Sequence, residues 1–559
     1  MNAAIFPLLI FALAAPKRPN IIVILSDDMG YSDIGCFGGE IPTPNIDALA
    51  AGGVRLTRFY NTSRCCPTRA SLLTGLYPHQ AGMGHMTGRD NDGQFPAYSG
   101  DLSKETRTIA EVLKPAGYRN YAVGKWHVCN NIANNGPKHN WPLSRGFDTF
   151  YGMVSGGGSF FDPWTLCRDN TLISPFADPD YKPETYYFTD AVTDHAVRNL
   201  KEHASGHAKQ PFFMYVAYTA AHWPLHALPA DIAKYKGAYD KGYEPIAKAR
   251  YERAARQGVI DPKQPPAPLP IAWESVANKK RESACMEVYA AMVDRMDQGI
   301  GKIVATLKEQ GNLDNTLIVY LQDNGACAED QGRNRVPLRL DGPRPAKPTL
   351  LPRTAEALSG GLIPIQTRDG FPVRQGLSVM PGDADTYVAY GRGWAAVGNT
   401  PFREYKHWVH EGGISTPLIA HWPASIKAKG AIRNTPGHLI DIMATCVDIS
   451  GAEYPKAIPA MEGRSLVPVF AGRRPAERPL FWEHEGNRAV SAGDWKAVAK
   501  GPAGNWELYN TLNDRVESRD LAQVQPNRLR YLVTLWEGYA QRTGVLPWVW
   551  DPPYKPLTP

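Results

Sequence analysis

Two apolar runs in this 559-residue chain end in clusters of acidic and amide side chains. The run NIIVILS at 20–26 leads into Asp27 and Asp28, and TLIVYL at 316–321 leads into Gln322, Asp323 and Asn324. Three carboxylates and an amide carbonyl form a hard oxygen set, which suits calcium or magnesium far better than zinc. Asp and Asn are also common in turns and caps, so either pair alone carries little weight. A third string, CCPTRASLLTG at 65–75, adds a different chemistry. Pro67 fits the first turn of a helix that Ala70, Leu72 and Leu73 continue, which places Cys65 at the helix N-terminus. Backbone donors and the helix dipole favour an anion there, and Arg69 adds a positive charge one turn on. Lys125 and His127 follow another apolar run, His222 follows a fourth, and Lys406 precedes a Gly-Gly turn. Taken singly, such lysines and histidines are usually solvated or structural; together at strand ends they can bind an anion and move protons.

The elements that must position these residues are legible from periodicity. Apolar, β-branched runs at 20–26, 121–124, 212–218, 316–321 and 417–421 alternate with helical patterns. That is the alternation of an α/β fold with a largely parallel sheet between helices. Cys285, Tyr289, Met292, Met296, Ile300, Ile303 and Leu307 recur at spacings of three and four, so this helix buries one apolar face and its methionines are core. The Gly-, Pro- and Arg-rich stretch 332–401 is expected to form a rim over the site. Its Tyr387, Tyr390 and Trp394 could stack on a substrate ring or simply pack the loop. Segment 231–270 reads equally as a second rim element or a solvated helix. His226 and His410 are candidates for the substrate entrance. After Gly451 come short strand-like pieces such as 489–499 and a helical stretch at 527–542, which suggests a small C-terminal α+β domain with antiparallel sheet. The expected division is a leader at 1–15, a catalytic domain at 18–451 and the C-terminal domain at 452–559.

Composition excludes some classes. With 61 Lys and Arg against 55 Asp and Glu, the net charge of +6 is small and scattered, so no nucleic-acid partner is expected. The opening MNAAIFPLLIFALAA reads as a cleaved signal peptide with an AxA arrangement, although it lacks a basic residue. Export through the secretion machinery follows, to the periplasm or outside, with no stable membrane span after cleavage. Eight cysteines lack metal-finger spacing and are too sparse for a disulfide scaffold.

Cys65, Pro67 and Arg69 match the CxPxR core of the type I sulfatase signature, with Thr74 and Gly75 as its LTG continuation. GKWH at 124–127, His222 in AAHWPLH and Lys406 in YKHWVHEGG match further motifs of the same family. The chain therefore resembles formylglycine-dependent sulfatases, above all bacterial arylsulfatases, from Asn20 to about Pro423. The resemblance implies an alkaline-phosphatase-like fold and oxidation of Cys65 to formylglycine by a formylglycine-generating enzyme. It implies one calcium ion held by Asp27, Asp28, Cys65, Asp323 and Asn324, with magnesium second. The hydrated aldehyde would attack sulfur, while Lys125, Lys406 and Arg69 offset or orient charge. His222, with Lys406 nearby, would protonate the leaving oxygen, and His127 would deprotonate the second hydroxyl. Cys66 has no role in that scheme. The implied substrate is a sulfated small molecule or carbohydrate. Two other readings remain at this level: a formylglycine-dependent phosphonate or phosphate ester hydrolase, and a noncatalytic sulfated-glycan binding protein.

Overall fold

The computed structural model describes residues 18–88 and 95–545, and the expected leader lies outside them. The frame is a mixed sheet of eleven strands among the described residues. Its centre is five parallel strands in the order Thr316–Gln322, Asn20–Ser26, Phe212–Ala217, Arg119–Lys125 and Thr149–Met153. Ser415–His421 lies antiparallel between Thr316–Gln322 and Val54–Tyr60. Leu166–Arg168 and Thr171–Leu172 close the opposite edge, also antiparallel.

The central strands are apolar throughout because both faces are covered. Along Asn20–Ser26, Ile22 and Ile24 enter one core while Ile21, Val23 and Leu25 enter the other. Helices Phe188–Gly206 and Lys279–Glu309 pack on the first face, and helices Cys65–Thr74 and Ile440–Ser450 on the second. The long helix Lys279–Glu309 starts where the Asn278 side chain accepts from Arg281 N, an N-cap bond. Its Met292 and Met296 are fully buried core residues. Among the described residues no helix is long and apolar enough to cross a membrane.

A second sheet, four-stranded and antiparallel, runs Leu480–His484, Asn487–Ala492, Trp495–Ala499 and Glu507–Asn510. Helix Pro526–Thr543 covers one face through Leu532, Trp536 and Tyr539, with Tyr539 stacked on Phe481 at 4.6 Å. The other face docks on the first sheet's surroundings: Trp482 Nε1 donates to Asn61 O at 2.8 Å, and buried Lys496 pairs with Glu411 and Glu517 at 3.1 and 2.8 Å.

Glu507 adds a charged contact, meeting His410 Nε2 at 3.2 Å and Arg403 at 3.1 Å. Burial works against its charge, but the His410 bond and charge, Tyr509 and Arg403 outweigh it and hold the carboxyl at about 2, below its ordinary 4.5. A lowered carboxyl stabilises the fold above its unfolded pKa, and that contribution disappears as pH falls through the folded value. Glu507→Gln is therefore expected to lose about 1–2 kcal/mol at pH 7, reduced from the full linkage value by solvent screening. Urea unfolding of both proteins should show the gap closing between pH 4.5 and about 2.

Candidate active site

Cys65 opens the helix Cys65–Thr74, which ends on left-handed Gly75 at φ 71°, and all ten helical residues are buried. Strand Arg119–Lys125 delivers Lys125 beside it. Gly124 makes that possible: its φ is 98°, and a Cβ there would sit 1.9 Å from Ala217 O. The two acidic clusters meet because their strands are neighbours, with Ser26 paired to Gln322. Asp28 N donates to Asp323 Oδ1 at 3.2 Å and Asn324 Nδ2 to Asp28 Oδ1 at 2.7 Å.

Three cations are threaded through these carboxylates. Arg69 Nη2 lies 2.9 Å from Asp323 and 3.3 Å from Asp27, while its Nη1 donates to Lys125 O at 3.0 Å and Tyr215 Oη at 3.3 Å. Lys125 Nζ is 2.6 Å from Asp27 Oδ2, and Lys406 Nζ is 2.7 Å from Asp28 Oδ1. Burial opposes ionisation of Asp27, yet Lys125, His222 and Arg69 hold it at about 2. Burial and the Asp27 charge push Asp323 up, against Arg69 and Lys125. Burial lowers both lysines, but Asp27, Cys65 and Asp323 together outweigh it at Lys125, and Asp28, Cys327 and Glu329 together at Lys406, so both stay charged.

The same positive surroundings act on the helix N-terminus. A hydrogen bond from Cys66, opposed by burial and aided by Lys125, His127 and Lys406, holds the Cys65 thiol well below its usual range. Burial and the Cys65 charge push Cys66 up, so its thiol stays protonated 3.1 Å from His127 Nε2. Burial brings His127 down to about 4, which leaves a neutral imidazole able to accept a proton. His222 Nδ1 lies 2.5 Å from Trp223 O, and its Nε2 is 3.5 Å from Asp28 Oδ2. The structure thus brings Asp27, Asp28, Cys65, Arg69, Lys125, His127, His222, Asp323, Asn324 and Lys406 into one site.

The oxygen set fits a divalent cation. Asp27 Oδ1 and Asn324 Oδ1 are buried without hydrogen-bond partners among the described residues, which is unusual for polar atoms unless something else meets them. Asp27, Asp28, Asp323 and Asn324 all offer hard oxygens, with His222 Nε2 at 3.5 Å from Asp28 Oδ2 beside them.

A cavity of about 350 Å³ opens above Cys65, His127, His222 and Lys406. Met86, Ile132, Trp164, Trp223 and Leu362 give it apolar walls; Leu362 comes from the expected rim at 332–401, and 231–270 contributes nothing. Glu329 also lines it, unheralded by any pattern in NGACAED. Its carboxylate lies 2.7 Å from Arg64, 2.7 Å from Trp223 Nε1 and 3.8 Å from Lys406. Arg64 is equally without a sequence signal.

Some expectations fail. His226 and His410 are buried and bonded elsewhere, His226 to Thr386 O at 2.7 Å and His410 to Glu507, so neither lines the entrance. For Tyr387, Tyr390 and Trp394 the packing alternative holds: Tyr390 packs on Tyr289, and Trp394 sits among Tyr239, Tyr243 and Trp273.

A sulfatase family model matches residues 19–452. The chain belongs to the sulfatase family. Residues 402–528 of this sulfatase also match the C-terminal region of N-sulphoglucosamine sulphohydrolase. An uncharacterized sulfatase of Schizosaccharomyces pombe is 32% identical over 95% of each chain. The arylsulfatase of Klebsiella aerogenes is 32% identical over 80% of this chain and 89% of its own. The crystal structure of Ps i-CgsB in complex with k-i-k-neocarrahexaose shares the alkaline-phosphatase-like fold, with TM-score 0.63, 23% identity and coverage of 95% of this chain and 98% of that one. The sulfatase is accordingly an enzyme that hydrolyses sulfate esters.

Proposed function

We propose that this sulfatase cleaves aryl sulfate monoesters in assay, using formylglycine made from Cys65 and calcium held by Asp27, Asp28, Asp323, Asn324 and residue 65. The observation that carries the reading is the placement of Cys65 at a buried helix N-terminus, with Lys125, His127 and Lys406 around it and the oxygen set beneath. The similarity to an arylsulfatase over most of the chain supports it. Calcium supplies Lewis acidity toward a sulfate oxygen and acidifies a hydroxyl at position 65. Formylglycine at position 65, once hydrated, would supply that nucleophilic hydroxyl and a second hydroxyl on the same carbon.

The chain's own side chains do the rest. Lys125 and Lys406 neutralise the sulfonyl oxygens, in a pocket where desolvation strengthens each contact. Arg69 is locked by four partners and fixes the carboxylates on either side. Neutral His127 takes the proton from position 65. His222, held by Trp223 O through Nδ1, presents Nε2 to the leaving oxygen and donates the proton that an alkoxide or phenoxide needs. The apolar walls from Trp164, Trp223, Met86, Ile132 and Leu362 suit a flat aromatic or sugar face.

If His222 protonates the leaving group, His222→Gln should cost about 10²–10⁴ in kcat for alkyl sulfates and much less for nitrophenyl sulfate, whose phenolate leaves unaided. Equal losses on both would remove this role. The overall reading is tested by rates on sulfate and phosphate esters of one phenol, with calcium, with magnesium and after a chelator. Calcium-dependent sulfate preference is expected; preference for the phosphate ester would replace it with a phosphohydrolase of the same nucleophile.

A further inference from the structure

A second constellation of metal-binding side chains lies beside the active site, built from different donors. His407 follows active-site Lys406, and His484 and Glu485 stand at the turn between strands Leu480–His484 and Asn487–Ala492 of the second sheet. The three are 5%, 0% and 1% exposed, and one ligand atom from each lies within 4.8 Å of the others. His407 Nδ1 is 3.2 Å from Glu485 Oε2, and His484 Nε2 is 3.8 Å from Glu485 Oε1. Ligand atoms about 2.0–2.1 Å from a tetrahedral zinc stand about 3.4 Å apart, which the 4.8 Å spread of this group allows after a small closure.

The second observation is the state of His484. Neither of its ring nitrogens has a hydrogen-bond partner among the described residues, although the side chain is fully buried. A buried imidazole with two unmet nitrogens costs free energy unless a ligand takes one of them. His85 adds a supporting contact, its Nε2 3.2 Å from Glu485 Oε1 while Met86 N donates to its Nδ1. A histidine steadying a ligating carboxylate in this way is a common outer contact of metal sites.

We propose that His407, His484 and Glu485 form a zinc site, separate from the oxygen site of Asp27 and Asp28, that pins the second sheet to the segment carrying Lys406. Nitrogen donors with one carboxylate favour zinc over calcium, the opposite of the oxygen site. Water completes the coordination. Zinc at His407 Nδ1 puts the ring proton on Nε2 and so gives up the 3.1 Å contact with Asn487 Nδ2, whose amide stays held by His484 O and Gly501 N.

The test reads metal rather than turnover, so it stands apart from the sulfatase reading. Calcium-saturated full-length protein is equilibrated with zinc, passed through gel filtration and assayed by elemental analysis, alongside His484→Ala and Cys66→Ser. About one zinc per chain is expected in the wild type and in Cys66→Ser. Loss of at least about tenfold in affinity is expected for His484→Ala. Cobalt substitution of the wild type, which needs no variant to fold, should give four-coordinate d–d bands without thiolate charge transfer. Thiolate bands would assign the metal to Cys65, Cys66 and His127, another buried group within 4.8 Å, and overturn the proposal. So would failure of the wild type to retain zinc, or retention of zinc by folded His484→Ala.

Discussion

Cys65→Ala is expected to lower kcat by about 10⁶-fold while leaving the fold in place, as removal of a nucleophile does in other covalent hydrolases. The side chain is small and buried at the first turn of its helix, so truncation opens a void little larger than one sulfur atom. Lys125 and Lys406 remain to bind the sulfate group, so substrate affinity should change far less than turnover. Cys65→Ser sharpens the expectation. A serine hydroxyl can attack sulfur and expel the phenolate, but the resulting sulfate ester has no second hydroxyl on the same carbon to eject sulfate. Rapid-quench measurement should show no more than about one equivalent of phenol per enzyme, then arrest. Sustained multiple turnover by either variant would show that position 65 is not the nucleophile.

Arg69→Ala is the substitution with the largest expected effect on stability. The guanidinium is fully buried and joins Asp27, Asp323, Lys125 O and Tyr215 in one network. Deleting one member of a buried ion network costs about 3–5 kcal/mol, because its partners keep their desolvation penalty and lose their compensation. Asp323, already pushed up by burial and by Asp27, would take up a proton and limit the loss to that range. Activity should also fall by about 10²–10³-fold or more, since the carboxylates lose their fixed positions. Arg69→Lys keeps the charge but cannot reach four acceptors with a planar fork, so it should recover only part of the stability. Urea midpoints and kcat measured together check both arms; a wild-type midpoint for Arg69→Ala would show that the network contributes little.

The sequence exposes those parts of the molecule whose local pattern and tertiary role coincide. The run at 20–26 is a strand over the same residues, and 316–321 differs from its strand by one residue, because central parallel strands are apolar on both faces. Asp27, Asp28, Asp323 and Asn324 are visible as a set because adjacent parallel strands bring their carboxyl ends together. Strand Val54–Tyr60 is less apparent because Arg55, Thr57 and Arg58 interrupt its apolar pattern, and Arg58 donates to Thr511 Oγ1. Tyr387, Tyr390 and Trp394 stand among Gly, Pro and Arg, where the local pattern leaves ring stacking and loop packing equally open; the structure buries all three, with Tyr390 on Tyr289 of the long helix and Trp394 on Tyr243. Glu329 and Arg64 meet across 265 residues of chain, a pairing that neither local string encodes.

The central claim is tested most directly by mass spectrometry of the peptide spanning Cys65, from catalytically active protein produced with a formylglycine-generating enzyme. The account predicts that the side chain carries an aldehyde in place of the thiol, and that the aldehyde fraction tracks specific activity across preparations. An intact Cys65 thiol in fully active protein would contradict it.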